Sequence, residues 1–248
     1  MRLDGGAARH DNPPMSGTLN ALFVATVAFV GGHFLLSSAA VRRRLVRLLG
    51  EAGFMPAYTL AITGAFIWMV AAYRVAPIVP VWEPPPAFTW IPLALMPIAI
   101  FLAVAGLTTR SPTQVGAERA LASGLPENPG PGIISITRHP FLWGTALWAA
   151  VHLAVTGDLA NITVMGGILI LSIGGMLHID QRREDALGAA WGPVKLTTSL
   201  VPFAAILTKR THLDWRGIGW WRPLAAVAIY LLFLQLHAWA LGVSPWPV

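Results

Sequence analysis

The chain reads as an all-α membrane protein: a polytopic bundle of about six transmembrane helices with interfacial segments on the cytoplasmic side. Three observations predict this. Of its 248 residues, 55% are hydrophobic and only 11% are charged, whereas a soluble domain carries roughly 25% charged residues. The mean hydropathy is +0.63. Apolar stretches recur along the chain, each close to the roughly 20 residues that a helix needs to cross a bilayer. The polar surface needed to face water is missing, so the main partner is the lipid bilayer.

Residues 1–16 hold Gly5, Gly6, Pro13 and Pro14 and lack the apolar core of a signal peptide. They are expected to form a disordered tail before a transmembrane domain over 17–248, with Met15 as an alternative start. The first span is placed at 18–39 and carries Gly31, Gly32 and His33. After it, RRRLVRLLGEAGF mixes arginine with Leu and Val at helical spacing, the pattern of an interfacial helix. The second span, 56–76, ends at Arg74–Pro77, and the third covers 90–108. The loop 109–137 is rich in Gly and Pro and reads as an ordered surface loop.

The fourth span, 140–157, opens on Pro140, whose missing N–H costs nothing in a first helical turn. A short polar turn at 157–161 leads into the fifth span, 161–180, so the two are predicted to form an antiparallel hairpin. The charged residues from Asp180 continue the fifth helix beyond the membrane. The chain then returns to the surface, with Trp191 and Phe203 as expected interface anchors. The sixth span is 223–242.

Lysine and arginine set the orientation. The first, third and fifth loops carry fourteen of them, against three on the opposite side (Arg2, Arg9 and Arg74). The three loops are therefore expected in the cytoplasm and both termini outside. The net charge of +6 fits the same bias. No nucleic-acid motif accompanies it, so nucleic acid is not an expected partner.

The chain has no cysteine. That excludes disulfides, zinc thiolates, iron–sulfur ligation and a thiolate ligand to haem. The candidates for chemistry are histidines inside apolar segments, because an imidazole in hydrocarbon must gain a hydrogen bond, a proton path or a metal. His33 follows two glycines that let a helix or a flat cofactor approach. His152 lies one turn after Trp148, and His237 sits beside Gln235 and Trp239. Each can equally be a ring hydrogen-bonded to its surroundings. Asp158 either orients His152 or is a solvated turn residue. His178, next to Asp180, reads as interfacial, and His10 and His212 as surface residues. Arg138 and His139, at the mouth of the fourth span, face headgroups or an anionic ligand at a helix N-terminus. Met165 and Met176 read as packing residues rather than thioether ligands.

Helix rise places His33 about 9 Å above the inner boundary, His152 about 18 Å and His237 about 21 Å. Two axial ligands of one haem have ring nitrogens about 4 Å apart, from iron–nitrogen distances of about 2 Å. By depth alone, His152 matches His237 more easily than His33.

Several ordered motifs now combine: GGHFLLSS before the arginine cluster, Tyr73–Pro77 with Trp82, ITRHPFLWG at 136–144, LWAAVHLAVTGD at 147–158, DQRR at 180–183, TSLVPFAAI at 198–206 and the terminal HAWALGVSP. From about Met15 to the C-terminus the chain resembles the NnrU family. The resemblance implies an integral protein of the bacterial inner membrane, linked to nitrite and nitric oxide metabolism (denitrification), with nitrogen oxide reductase or electron-transfer partners. The family is similar to plant zeta-carotene isomerase, which binds haem b. That similarity implies haem b here, with His33 and His152 as ligands and His237 as the alternate.

Arg138 and His139 then become cofactor-binding residues, with Arg138 holding a haem propionate or another cofactor's carboxylate. The isomerase has a cysteine three residues before its second ligating histidine. Ala149 stands there in this chain, so thiolate-dependent ligand switching is not implied. Arg138-His139-Pro140 with Gly144 also resembles the motif of membrane methyltransferases that bind S-adenosylmethionine, Glu184 and Asp185 being the acidic candidates. Methyl transfer, a carotenoid-type isomerisation and a non-catalytic assembly role are the alternatives.

A reporter fused after Val248 is expected to be active only outside the cytoplasm. Cytoplasmic activity would break the six-span orientation.

Overall fold

Apolar helices without a polar face have no sequence signal for which side packs inward, so the packing is decided by where backbones can approach. A computed structural model describes residues 17–111, 113–114, 130 and 132–246. The tail 1–16, with His10 and the alternative start Met15, and most of the loop 115–129 lie outside the described residues. Among the described residues the elements are helical, and the only strand-like pairing is a bridge between Pro80 and Asp158. Five helical stretches are long and apolar enough to cross a membrane. The expected fourth span is the exception: its helix, Pro140–Val155, has 16 residues, about 24 Å at 1.5 Å per residue. It stops because Thr156 is extended.

The chain divides into two compact units. One comprises residues up to Val81 together with Asp158–Val164. Here α1 (Leu19–Ser37) is capped by Thr18, whose hydroxyl accepts from Ala21 N at 3.1 Å. Helix α2 (Ala39–Val75) begins with the predicted basic segment and is broken at Gly50, where φ is 71° and ψ is 166°. An L-side chain at that φ is strained, so glycine marks the point where the basic segment ends and the apolar helix starts. Arg42 spans the break, donating to Glu51 at 3.0 Å and lying 5.2 Å from the centre of the Phe54 ring. The two helices run antiparallel, with Gly17 N donating to Val75 O and Gly32 packed against Ile62.

The second unit comprises Trp82–Gly157 and Met165–Val248. A 3₁₀ turn (Pro86–Thr89) leads into α3 (Trp90–Thr108), which packs on α4 (Pro140–Val155). A Cβ on Gly144 would lie 2.6 Å from Ala99 O, and one on Gly106 would lie 2.5 Å from Phe141 N. Backbone thus meets backbone at both ends of an antiparallel crossing, the use membranes make of small residues. Gly144, counted above in a methyltransferase-like motif, is here a packing residue.

The next helix, α5 (Leu159–Leu187), starts after a short turn, as the sequence predicts. Its register against α4 is antiparallel. His139 meets Asp180, Leu142 meets Gly175, and Thr145 shares a hydrogen bond with Ser172 at 2.9 Å. Short helices follow: α6 (Gly192–Thr197), α7 (Ala204–Leu207) and α8 (Trp215–Ile218). Helix α9 (Trp221–Leu241) runs back along α3, tied by Arg222 to Thr108 and by Tyr230 to Leu93 O.

A small core of Ala105, Ile133, Ile134, Ile136 and Ile218 closes the end of this unit that carries the basic loops. Asp214 fastens it, accepting from Gly132 N at 2.7 Å and Gly217 N at 2.9 Å. These two backbone donors hold its carboxyl below the ordinary carboxylate range. The stability they add is present above that ordinary range and is lost as pH falls through the depressed value. Trp191 corrects an expectation. It is 1% exposed, a core residue rather than an interface anchor, because the chain after α5 folds over it. Phe203 remains largely exposed.

Gly144→Val is expected to cost about 1–3 kcal/mol through overpacking against α3. Gly166→Val, where an added Cβ meets nothing within 4 Å, is expected to be nearly neutral. Thermal unfolding of both variants in detergent checks the difference.

Candidate functional site

Residues 136–139 enter α4 as an extended strap. Phe203 N donates to Ile136 O at 2.8 Å, Thr137 Oγ1 to Leu200 O at 2.8 Å, and Arg138 N to Ser199 O at 2.9 Å. Thr113 Oγ1 donates to Arg138 O, and Trp143 Nε1 to Leu200 O. With its backbone held on the 199–203 segment, the strap turns two side chains toward α5. His139 Nε2 donates to Asp180 Oδ1 at 2.7 Å, and Arg138 Nη1 lies 3.4 Å from Asp180 Oδ2.

Arg138 and His139 are 8% and 3% exposed, so they do not face headgroups as the sequence suggests. Burial lowers the pKa of the Arg138 guanidinium, and the opposing pull of Asp180 is smaller. The expected neighbour of Asp180 was His178. The structure gives its carboxylate to His139 and Arg138 instead, because α5 presents residue 180 to α4.

The three membrane histidines share one local device. His33 Nδ1 is 2.8 Å from Phe29 O, His152 Nδ1 is 2.8 Å from Trp148 O, and His237 Nδ1 is 2.8 Å from Val243 O. A carbonyl only accepts, so each Nδ1 carries the proton and each neutral ring keeps its lone pair on Nε2. Metal-ligating imidazoles are held this way. His33 and His152 bond to the carbonyl four residues earlier. His237 reaches Val243 because Gly242 turns the chain back at the end of α9.

Around His33 the rings of Phe29 and Tyr58 stand edge-on, at 4.7 Å and 6.3 Å. Tyr58 was not singled out by the sequence, since only the pairing of α1 with α2 brings it there. Trp148 packs beside His152 at 5.3 Å, and His237 lies within electrostatic reach of His152 in the same unit. Asp158 caps α5 by accepting from Asn161 N at 2.9 Å. Met165 and Met176 are buried, as packing residues would be, and His212 is exposed. Glu184 pairs with Lys195 at 2.9 Å at the surface. Among the described residues no group of three or more His, Asp or Glu side chains forms a metal site by itself.

Asp180→Ala leaves a buried guanidinium without its carboxylate. It is expected to lower stability by about 2–3 kcal/mol, against near zero for the exposed Glu184→Ala. Adding Arg138→Ala should recover part of the loss in a double-mutant cycle. Additive losses would mean that the pair is uncoupled.

Comparison with known proteins adds to this geometry. The chain is 33% identical over 82 residues to a maize (Zea mays) protein named 15-cis-zeta-carotene isomerase, chloroplastic, and 32% identical over 82 residues to the Arabidopsis thaliana protein of that name. Each match covers 33% of this chain and 22% of the relative, so the chain matches about a fifth of the relatives' length. No solved structure matches. The family model described as NnrU protein matches residues 21–245, nearly the whole chain, and the chain belongs to the NnrU protein family.

Proposed function

We propose that this NnrU family member is a multi-pass protein of the bacterial inner membrane that binds haem b through intramembrane histidines and serves nitrite and nitric oxide metabolism. His152 is the leading ligand, and His33 and His237 are the candidates for the second. The observation that carries the reading is the shared Nδ1–H bond to a backbone carbonyl, which presents Nε2 as the basic nitrogen in three separate membrane helices. This donor set suits a haem iron better than a bare ion, because no cluster of ligands accompanies any one ring among the described residues. When bound, haem supplies one-electron transfer or, with one ligand released, a site for nitric oxide. The protein's part is to fix each ring's tautomer and to keep the rings in a largely apolar setting. Its partners in this reading are nitrogen oxide reductases or electron-transfer proteins.

The similarity to the plant isomerases favours a second reading, isomerisation of a carotenoid-type polyene. Ala149 is fully buried and carries no thiol, so any ligand exchange in such chemistry would need a group other than a cysteine three residues before His152. The haem reading requires no such group and therefore leads.

Protein expressed with ample haem and purified in detergent is expected to show a Soret band and a haemochrome with pyridine. His152→Ala should abolish both. Loss in His33→Ala with retention in His237→Ala identifies His33 as the second ligand, and the reverse identifies His237. A colourless protein, or a band untouched by His152→Ala, would overturn the reading.

A further inference from the structure

The second unit holds a cavity of about 470 Å³ between α3, α4 and α5, and its walls are apolar side chains only. Its volume lies in the range of small-ligand sites. On α4 the lining residues Trp143, Ala146 and Ala150 share one face, and His139 lies one turn before Trp143 on that same face. On α5, Leu169 and Ile173 line it, and the same face continues through Met176 to Asp180. Both walls therefore run into the His139–Asp180 pair. The strap and the 199–203 segment close that end, contributing Ile136 and Phe203 to the lining.

That end is not electrically neutral. The Arg138 side chain is nine-tenths buried, and its Nε has no hydrogen-bond partner. Its one carboxylate contact is long, at 3.4 Å, because Asp180 is drawn closer to His139. A buried donor left unsatisfied is costly, and a guanidinium is suited to an anionic oxygen. Around it, residues 138–210 carry six Lys and Arg against three Asp and Glu, leaving aside Asp158 at the opposite end of α5. Hydrocarbon walls that end at a cationic cluster complement a molecule with an apolar chain and an anionic head.

We propose that this cavity binds one such amphiphile, its chain between α3, α4 and α5 and its head at Arg138. Neither His33 nor His152 lines the cavity, so the site stands apart from the haem reading.

The test uses the full chain in phosphatidylcholine nanodiscs. The probes are octadecyl chains with a mid-chain diazirine, one ending in a phosphate and the other in a hydroxyl. Crosslinked peptides are mapped by mass spectrometry. The phosphate probe is expected to label the 143–150 and 169–173 segments at least about tenfold more than the hydroxyl probe, the ratio set by about 1.4 kcal/mol of head recognition. Arg138→Gln should bring the phosphate probe down to the hydroxyl level. Ala146→Phe and Ala150→Phe, which fill the cavity, should remove labelling there while the exposed face of α9 stays labelled. His152→Ala should change nothing, so loss of haem and loss of this site are separable.

Equal labelling by the two probes would reduce the cavity to ordinary lipid contact and overturn the proposal. Labelling unchanged in the filled variants would do the same. If Arg138→Gln does not fold, the two heads compared on the parent chain decide the matter.

Discussion

The carboxylate of Asp180 holds together the end of the molecule where the basic loops gather. It accepts from His139 and faces Arg138, joining the last turns of α5 to the start of α4. Through the backbone of Arg138 it is also tied to the 199–203 segment. A carboxylate and a guanidinium taken out of water are stable only together. The entry to α4, the course of the chain after α5 and the closed end of the apolar cavity therefore depend on one another. The close approach of α3 and α4 at Gly106 and Gly144 sets the other constraint, because it leaves no freedom to slide α4 without backbone overlap.

The membrane histidines are organised more locally. A ring that donates to the carbonyl one turn earlier satisfies its own N–H without any other helix. In hydrocarbon that matters, since an unpaired donor there costs several kcal/mol. The same bond settles which nitrogen stays basic. His139 is the contrast: its Nε2 carries the proton and is spent on Asp180. Membrane histidines ready to bind a metal and a histidine built into an ion-pair cluster are thus told apart by which nitrogen donates.

Much of this was legible in the residues. The helix limits follow apolar runs, and Pro140 starts α4 where a proline belongs. The short turn before α5 makes the hairpin antiparallel, and equal steps outward from that turn place Asp180 opposite His139. That signal was present but unused, because Asp180 was read with its neighbour His178. Trp191 misled for a different reason. An aromatic residue after a membrane helix resembles an interface anchor, and only the fold of the following segment shows that it is covered.

The amino-acid sequence by itself determined that this is a helical membrane protein, where its helices begin and end, and which histidines lie in apolar surroundings. Those properties depend on composition and on neighbours within a turn or two. Tertiary structure alone decided that Arg138 and His139 share Asp180, that Gly106 and Gly144 are contact points, that Tyr58 meets His33, and that an apolar cavity ends at a cationic cluster. Helices apolar on every side carry no periodic mark of their packing face. Partners 41 residues apart, such as His139 and Asp180, meet only when the helices that carry them have chosen their faces.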